Sequence, residues 1–332
     1  MTQITDLFLG LAIGDAFGVG LESQDRDWLV ENTNFGEYQS LRSGKYVEGY
    51  RLGDYSDDTA DTLAIAKLLT ENRDFTIDSL YQALKEEWDA SKIGRGGLPR
   101  AGYGSIKRVF IEELSLNELQ AWQAERHYPG NAPTMRSIPL GFLSIPKMVK
   151  ACQTNANVTH PHQKTIASSL IIAFTTRLFL TQNYNPKALI DKCLEFLNVS
   201  CPEVETTIYL NDINMLSWPM SDLAHVHLAG PQPIRSFTEN KLIKGLNSDA
   251  MRTAGCVLYI LKHVSSAMEA LKASIHIGGD VDSLAALTVG LAGARYGLQD
   301  IPEKLLNGVE NREYILQIAK NFENWIKNRE DL

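Results

Sequence analysis

Two stretches of the sequence each concentrate carboxylates and a hydroxyl within a few residues. The first, "YSDDTADTLAIA", runs from Tyr55 to Ala66, and the second, "GGDVDSLAAL", runs from Gly278 to Leu287. Hard cations such as Mg²⁺ or Mn²⁺ prefer oxygen ligands of these kinds. If the two stretches meet in the fold, four carboxylates share one site. Two divalent cations about 3.5–4 Å apart would neutralise the repulsion between them.

Helix capping is the alternative explanation for both acidic stretches. Ser56 is a good N-cap residue, and Asp57 and Asp58 in the first turn of a helix interact favourably with its dipole. Asp280 and Asp282 could begin a later helix in the same way. Capping is the better explanation for either stretch alone, but a cap needs one oxygen and each stretch offers at least three. The sequence alone leaves open whether the two stretches meet.

Helical periodicity dominates the elements that would position these residues. Strand-like alternation is scarce, and "VETTIYL" at residues 204–210 is the best strand candidate. No other element is predicted within residues 181–250. We therefore expect one compact, almost wholly α-helical domain over residues 1–332. Apolar residues recur at spacings of three and four in "ADTLAIAKLLTE", "QKTIASSLIIAFTTRLFL", "GCVLYILKHVSSAMEALKASI", "DSLAALTVGLAGARYG" and "REYILQIAKNFENWIKN".

Composition excludes several classes of protein. The chain has 332 residues, 44% of them hydrophobic, and a net charge of −8, which argues against a general nucleic-acid surface. Cys152, Cys193, Cys201 and Cys256 have no metal-finger spacing and are expected to be reduced thiols. Asp15 interrupts the apolar N-terminal stretch, so we expect neither a signal peptide nor a membrane span. We expect a cytoplasmic monomer with neither membrane nor nucleic acid as a partner.

Six motifs occur in an order that resembles the ADP-ribosylglycohydrolase family. They extend from residue 14 to residue 283, and six in register are far more specific than any one alone. They are "GDAFGVGLE" (Gly14 to Glu22), "SDDT" (Ser56 to Thr59), "GYG" (Gly102 to Gly104), "GNAPTMR" (Gly130 to Arg136), "THPH" (Thr159 to His162) and "GGDVDS" (Gly278 to Ser283).

The resemblance implies an all-α fold, a compact orthogonal multi-helix structure with a two-metal site in a central cleft. It also implies a pair of divalent cations, Mg²⁺ or Mn²⁺. Serine stands where many members have threonine, but it offers the same hydroxyl oxygen. The implied metal ligands are Ser56, Asp57, Asp58, Asp280, Asp282 and Ser283.

The resemblance further implies a set of substrate-binding residues in three loops. Gly102, Tyr103 and Gly104 would lie beside the substrate's phosphates. Gly130, Asn131 and His160 would bind the substrate as well, and Tyr128 would stack on adenine. Ala132 replaces the second glycine of the family's GNG motif, which would perturb the loop if that position requires a positive φ or a close backbone approach.

The glycine-rich stretch from Lys92 to Arg108 contains five basic residues and no acidic one. Its glycines would let backbone N–H groups approach a diphosphate, and its cations would lower the cost of binding it. The alternative is a solvated loop. Arg136 has two open interpretations, contact with phosphate or burial that pins its loop. Asp15 is expected to make structural hydrogen bonds.

The predicted reaction is hydrolysis of an N- or O-glycosidic bond at the anomeric carbon of ADP-ribose. Asp57 or Glu22 would accept the proton of the attacking water. Glu22 lies outside both acidic stretches, so we expect it to act in chemistry or gating, on a segment that Gly18 and Gly20 allow to move. The substrate would be an ADP-ribosylated protein or a small ADP-ribosyl compound.

The acceptor and two competing functions stay open at this point. Members that remove ADP-ribose from arginine of dinitrogenase reductase usually carry a DIG motif, and Lys92 stands where its aspartate would fall. Arginine, serine and small ADP-ribosyl metabolites all remain candidates. An unrelated metal-dependent phosphohydrolase would also need clustered carboxylates, but it would not need the GN, TH and GYG loops. A non-catalytic member would typically have lost metal ligands, whereas all six positions here carry oxygen.

Overall fold

The computed structural model describes residues 2–40, 50–93, 95, 97–180, 184–236 and 240–329, and the chain folds almost entirely as α-helices within them. The predicted all-α class is confirmed. The described helices are α1 (Gln3–Val19), α2 (Arg26–Asn32), α3 (Asp57–Thr70), α4 (Ile77–Ser91), α5 (Ile106–Phe110), α6 (Leu116–Ala124), α7 (Ala132–Met135), α8 (Ile145–Thr159), α9 (Gln163–Phe179), α10 (Leu189–Ser200), α11 (Val204–Asn214), α12 (Asp222–Ala229), α13 (Ala250–His263), α14 (Ala267–Ile275), α15 (Val281–Tyr296), α16 (Glu303–Gly308) and α17 (Arg312–Lys327).

Short elements complete the described structure. Two 3₁₀ helices cover Ile138–Phe142 and Pro186–Ala188. Strand β1 (Ile234–Arg235) pairs antiparallel with β2 (Leu242–Ile243), with Ile234 opposite Ile243. Within the described residues, no helix is both long enough and apolar enough to span a membrane. The predicted single domain and monomeric state stay predictions.

The one strand predicted from the sequence is wrong, because "VETTIYL" forms the first two turns of α11. The Glu203 side chain caps this helix by accepting hydrogen bonds from the backbone N–H groups of Glu205 and Thr206. Tyr209 and Ile213 are buried at helical spacing on its inner face. The cap and this buried face outweigh the preference of the β-branched residues for a strand.

A row of glycines brings α1 unusually close to α15. Gly10, Gly14 and Gly18 recur every four residues and therefore lie on one face of α1. A Cβ atom at Gly14 would lie 2.2 Å from the carbonyl oxygen of Ala285, and one at Gly18 would lie 2.3 Å from Cα of Asp282. No side chain fits between the two backbones. This contact places the first turn of α15 directly against the end of α1.

Helix α1 also positions the start of α3. The buried carboxylate of Asp15 accepts hydrogen bonds from the backbone N–H groups of Ser56 and Thr59, each at 2.9 Å. The Thr59 hydroxyl donates a third, at 2.6 Å. Ser56 caps α3, its Oγ accepting from Asp58 N at 3.1 Å. Asp15 therefore makes the structural hydrogen bonds expected from the sequence.

Two glycines lead the chain into α15. Gly278 and Gly279 both have positive φ, +77° and +76°. A Cβ atom at Gly279 would lie 2.1 Å from the carbonyl oxygen of Leu246. Asp280 occupies the N-cap position of α15, but its side chain makes no capping hydrogen bond. Helix capping therefore does not explain the carboxylate of Asp280.

We expect Gly14→Ala to destabilise the protein, because the added methyl would overlap the backbone of α15. Overpacking of this kind costs about 1–3 kcal/mol, measurable as a lower midpoint in urea unfolding. Gly36→Ala is the matched control, since Gly36 is exposed and its added Cβ would lie 3.2 Å from the nearest atom. Equal stability of the Gly14 variant and the control would contradict the close-contact explanation.

Candidate active site

The two acidic stretches meet at one cleft. The cleft has a volume of about 260 Å³. Asp57 and Asp58 enter it from the start of α3, and Asp280, Asp282 and Ser283 enter it from the start of α15. The question that the sequence left open is therefore answered by the packing of both helix starts against α1.

Burial makes these carboxylates costly to ionise. It raises the pKa values of Asp57, Asp58 and Asp280 well above the usual aspartate value, and neighbouring carboxylates raise them further. The first-turn carboxylate of α15, Asp282, contributes to the repulsion at all three. A site that concentrates negative charge in this way is stabilised by any cation that enters it.

The buried cation beside this cluster is already committed to another carboxylate. Arg136 is fully buried, and its Nη1 donates to Asp61 Oδ2 at 3.0 Å. Its other nitrogens donate to Asn155 Oδ1 at 2.7 Å and to Thr159 Oγ1 at 2.9 Å. Burial raises the pKa of Asp61 to about 6, although the Arg136 guanidinium lowers it. Of the two interpretations of Arg136, the structure supports burial that pins its loop.

The ligand atoms at the cleft fit a divalent cation. Asp58 Oδ1 is buried and has no hydrogen-bond partner within the described part of the chain. The other oxygen, Asp58 Oδ2, accepts from Ser56 Oγ at 3.0 Å. Ser56 is buried behind Asp58, and Ser283 lines the cleft. The donor set consists of carboxylate and hydroxyl oxygens, the atoms that Mg²⁺ and Mn²⁺ prefer.

Glu22 joins this cluster, although the sequence analysis expected it to act in chemistry or gating and not in metal binding. Carboxylate oxygens of Glu22, Asp280 and Asp282 all lie within 4.8 Å of one another. Glu22 is only half-buried, whereas both aspartates are buried. Its position is compatible with contact to a bound cation as well as with chemistry. The assigned roles of all these residues stay predictions.

The glycines before Glu22 are explained by close packing. A Cβ atom at Gly20 would lie 1.7 Å from the carbonyl oxygen of Gln39, and Gly18 packs on α15. The segment is also tied to the start of α15, because Ser23 N donates to Gly279 O at 2.7 Å. Close packing thus requires both glycines, and the expectation that they allow movement stays a prediction.

The loop at Gly102 to Gly104 folds over Asp57. All three residues have positive φ: +87° at Gly102, +58° at Tyr103 and +39° at Gly104. The Tyr103 backbone N–H donates to the Asp57 carboxylate, and Asp57 N donates to Ala101 O at 3.1 Å. A Cβ atom at Gly102 would lie 1.7 Å from Asp57 Oδ1. Glycine is required here because the backbone passes so close to the carboxylate.

Tyr103 lines the cleft through its backbone, because its ring is buried. The side chain packs edge-on against Trp88 and Phe110, and the residue is 2% exposed. Any substrate contact at this position would therefore use main-chain atoms. Loops of successive backbone N–H groups can bind anions without a charged side chain.

Three of the five basic residues of this stretch form ion pairs outside the cleft. Arg95 and Arg100 are buried in ion pairs with Asp54 and Glu310, and Lys92 pairs with Asp89. The charges of these three residues are thus already paired, and the idea that Arg95 and Arg100 lower the cost of binding phosphate is wrong. Two of the five glycines, Gly94 and Gly96, lie outside the described residues.

Asn131 connects the GN loop to the carboxylates. Its Nδ2 donates to Asp280 Oδ2 at 2.7 Å and to Thr253 Oγ1 at 3.1 Å. Its backbone N–H donates to Ser248 O at 3.1 Å, which holds the loop against the start of α13. Ala132 begins α7 and is not among the residues with positive φ. Alanine is therefore compatible with this position.

His160 lines the cleft as a neutral imidazole. Burial, and then the nearby Arg136, lower its pKa to about 3. Its Nδ1 lies 2.9 Å from Thr159 Oγ1, a hydroxyl oxygen that already accepts from Arg136. The hydroxyl proton is best used by donation to Nδ1, so we assign the ring proton to Nε2. A Cβ atom at Gly130 would lie 2.9 Å from that nitrogen, so glycine leaves it room.

Tyr128 is the one predicted substrate residue that the described structure does not bring to the cleft. It is 55% exposed, and its ring packs against His127. Conversely, Gln123 and Arg126 at the end of α6 line the cleft and were missed. Gln123 is 1% exposed, and its Oε1 has no hydrogen-bond partner within the described residues. Nothing in "LNELQAWQAE" distinguishes it from an ordinary surface helix.

Comparison with known proteins gives consistent family matches. A family model described as ADP-ribosylglycohydrolase matches residues 2–331. The chain is 24% identical over 323 residues to "ADP-ribosylhydrolase ARH3" of Xenopus tropicalis, covering 89% of this chain and 87% of that protein. It is 23% identical over 327 residues to "ADP-ribosylarginine hydrolase Tri1" of Serratia proteamaculans (strain 568), covering 95% and 77%.

A further relative and a solved structure extend these matches. The chain is 24% identical over 310 residues to "ADP-ribosyl-[dinitrogen reductase] glycohydrolase" of Rhodospirillum rubrum, covering 91% of this chain and 88% of that protein. A solved structure described as "ADP-ribosylglycohydrolase-related protein complex" superposes with a TM-score of 0.68 at 20% identity, covering 97% of each chain. At that identity the superposition shows a shared fold.

We expect Asp58→Asn to change the response of the protein to metal while keeping its fold. With EDTA present, the variant should melt at a higher temperature than the parent, because one buried negative charge is removed. Saturating Mg²⁺, at about 100 times Kd, should stabilise the parent by about 2.7 kcal/mol and the variant much less. Thermal unfolding measures both effects.

Asp212→Asn is the control for this experiment, since Asp212 is exposed on α11. Its responses to EDTA and Mg²⁺ should equal those of the parent. If Mg²⁺ stabilised the Asp58 variant as strongly as the parent, Asp58 would not be a metal ligand.

Proposed function

The chain belongs to the ADP-ribosylglycohydrolase family, and on that premise we propose that it hydrolyses the glycosidic bond between ADP-ribose and an acceptor, with the help of two divalent cations. The observation that carries this proposal is the convergence of two acidic helix starts on a cleft that the glycine loop at Gly102 and the loop at Asn131 also line. The carboxylates suit a polyhydroxylated ribose held through metal, and the loops suit a diphosphate.

The cations would be held by the oxygens of both helix starts. Mg²⁺ or Mn²⁺ would neutralise the carboxylates, hold ribose hydroxyls and orient a water. The orphaned Oδ1 of Asp58 and the uncapped carboxylate of Asp280 support this assignment. The proposed ligands are Ser56, Asp57, Asp58, Asp280, Asp282 and Ser283, with Glu22 as an additional contact.

The chain's other residues would orient the substrate. Asn131 fixes the rotamer of Asp280 through its amide, so the carboxylate presents its free lone pairs in one direction. Backbone N–H groups of Gly102 and Gly104 would bind phosphate oxygens, since the Tyr103 N–H already donates to Asp57. His160 would donate from Nε2 as a neutral imidazole, since its depressed pKa keeps it uncharged near pH 7.

Glu22 is the better candidate for the general base. It is half-buried at the cleft, so water reaches it. The Asp57 carboxylate already accepts from the Tyr103 N–H beneath the glycine loop. Glu22 would take the proton from the attacking water while the C1–acceptor bond breaks, and the acceptor would leave with a proton from solvent. Carboxylates nearby stabilise the oxocarbenium-like transition state.

The proposed acceptors are arginine and serine side chains and small ADP-ribosyl compounds. Relatives of this chain carry names that specify arginine and dinitrogen reductase. Lys92, at the position of the family's DIG aspartate, pairs with Asp89 and lies 3.2 Å from the centroid of the Trp88 ring. A lysine at this position offers an arginine acceptor no carboxylate, and the Lys92 side chain is engaged outside the cleft.

The test is release of free ADP-ribose from a panel of arginine-linked, serine-linked and small ADP-ribosyl substrates. We expect release from at least one class with Mg²⁺, loss of at least about 100-fold of the rate with EDTA, equivalent to about 2.7 kcal/mol, and recovery on adding Mg²⁺ or Mn²⁺. Release of phosphate or AMP instead would indicate a phosphohydrolase. Tight ADP-ribose binding without any release would indicate a non-catalytic member.

We expect Glu22→Gln to lower kcat by at least about tenfold, or about 1.4 kcal/mol. The substitution removes the base but keeps the size of the side chain. Because Glu22 adjoins Asp280 and Asp282, Mg²⁺ affinity is measured in parallel, and kcat is compared at saturating metal. Glu31→Gln, at an exposed position on α2, is the control. Near-native turnover of the Glu22 variant would exclude Glu22 as the base.

A further inference from the structure

A second group of buried charges lies outside the cleft. Arg95 Nη1 donates to Asp54 Oδ2 at 2.6 Å and lies 3.4 Å from Glu310 Oε1. Arg100 Nη1 donates to Glu310 Oε2. The side chains of Asp54, Arg95 and Arg100 are 4%, 3% and 3% exposed, so these ion pairs are shielded from water. We call these four residues the Glu310 cluster.

The Glu310 cluster adjoins two chain segments that lead into the cleft. Asp54 lies two residues before Ser56, and Arg100 lies two residues before Gly102. The guanidinium carbon of Arg100 lies 3.8 Å from the centroid of the Tyr55 ring. Arg100 thus contacts Tyr55 close to the point where Asp57 is hydrogen-bonded to Ala101 and Tyr103. One cluster therefore holds the two segments together just before they enter the site.

The two segments tolerate little relative movement. Asp57 N donates to Ala101 O at 3.1 Å. The Cα of Gly102 passes so close to Asp57 that an added Cβ would lie 1.7 Å from its carboxylate oxygen. A shift of the loop by an ångström would either press on that carboxylate or break its bond to the Tyr103 N–H. The geometry of the loop depends on whatever anchors its base.

Glu310 supplies that anchor from the link between α16 and α17. Its backbone N–H donates to Gly53 O at 2.9 Å. Gly53 has φ +90°, and a Cβ atom there would lie 2.0 Å from Gly308 O. The link is thus docked by main-chain contacts on the segment that leads to Ser56. From this position the Glu310 carboxylate reaches both buried arginines.

Charge balance makes Glu310 necessary to the cluster. Two buried guanidinium groups face two carboxylates, and exposed Arg51 adds a contact to Glu310 Oε1 at 3.2 Å. Without the Glu310 carboxylate, Arg95 would keep Asp54, but Arg100 would lose the carboxylate to which it donates. A buried charge that loses its partner is strongly unfavourable. Arg100 would then move toward water and draw the base of the glycine loop with it.

We propose that Glu310 is a positioning residue that holds the Gly102 to Gly104 loop in register with Asp57, through Arg100. Glu310 does not touch the cleft, and it lies outside all six motifs. This proposal rests on the proposed function only for the identity of the ligand that the loop binds. The positioning itself is a property of the chain and can be measured without substrate.

The first measurement is hydrogen exchange in Glu310→Gln, compared with the parent and with Glu313→Gln, a control whose side chain is 87% exposed. Within residues 101–104, the Tyr103 amide, which donates to Asp57, should exchange at least about tenfold faster in the Glu310 variant, because opening the loop becomes easier. Amides in the middle of α15 should exchange as in the parent. Unchanged exchange at residues 101–104 would overturn the proposal. Faster exchange everywhere would reduce Glu310 to a general stability role.

The second measurement separates binding from turnover. At saturating Mg²⁺, Glu310→Gln should raise the KM for a cleaved substrate, and the Kd for ADP-ribose, at least about fivefold, with a smaller change in kcat. Mg²⁺ affinity should stay close to that of the parent, because Asp15 still holds the start of α3. If the parent releases no ADP-ribose, the proposed function fails, but the hydrogen-exchange experiment still tests the positioning role of Glu310.

Two further variants protect the test. Arg100→Met combined with Glu310→Gln removes one buried cation together with its partner, so its exchange at residues 101–104 should be no faster than in Glu310→Gln alone. Additive effects of the two substitutions would contradict coupling through Arg100. If Glu310→Gln does not fold, Glu310→Asp keeps the charge but shortens its reach, and it should shift exchange in the same direction by less.

Discussion

The site depends on the contact between helix α1 and helix α15, where glycines allow two backbones to touch. Gly14 meets the carbonyl of Ala285, and Gly18 meets the first turn of α15 at Asp282. The same helix carries Asp15, whose carboxylate holds the backbone at Ser56 and Thr59. One helix therefore sets the position of both acidic helix starts. Side chains of any size along this face of α1 would separate them.

This arrangement concentrates charge that the protein alone does not neutralise. Burial and mutual repulsion raise the pKa values of Asp57, Asp58 and Asp280, while Arg136, a buried cation that lines the cleft, is paired with Asp61. The Ser56 hydroxyl, the Tyr103 N–H and the Asn131 amide donate to these carboxylates but bring no positive charge. The fold therefore accepts an electrostatic cost at the place where a cation would bind, a pattern expected of functional sites.

The glycine loop and its basic flank have separate tasks. Backbone atoms of residues 102–104 face the cleft, and the positive φ values at Gly102 and Gly104 suit glycine. The arginines that precede them turn inward and bind carboxylates from the segment at Asp54 and from the link before α17. Positive charge in this loop thus serves to anchor it. The anion binding that we propose for this loop would use main-chain N–H groups, which carry no formal charge for the neighbouring aspartates to pair with.

Much of this protein could be predicted from local sequence. Helical periodicity predicted the all-α class, and the order of six motifs identified the family. Ser56 was predicted as a helix cap and Asp15 as a structural hydrogen-bond acceptor, because each role is set within a few residues or by a familiar motif. The strand predicted at residues 204–210 failed because its side chains are buried at helical spacing, and burial is decided by partners elsewhere in the chain.

Other features were decided only by the tertiary structure, since they join residues far apart in the chain. These include the meeting of Asp58 with Asp282 at one cleft, the close approach of Glu22 to Asp280 and Asp282, the exclusion of Tyr128 from the cleft and the inclusion of Gln123. The charge on an arginine is readable from the sequence, but its partner is not. Arg100 was therefore readable only as one of five basic residues in a glycine-rich stretch, and its partner Glu310 lies 210 residues away. Composition and spacing record which groups are present, whereas packing determines which groups share a low-dielectric environment and so which interactions are strong.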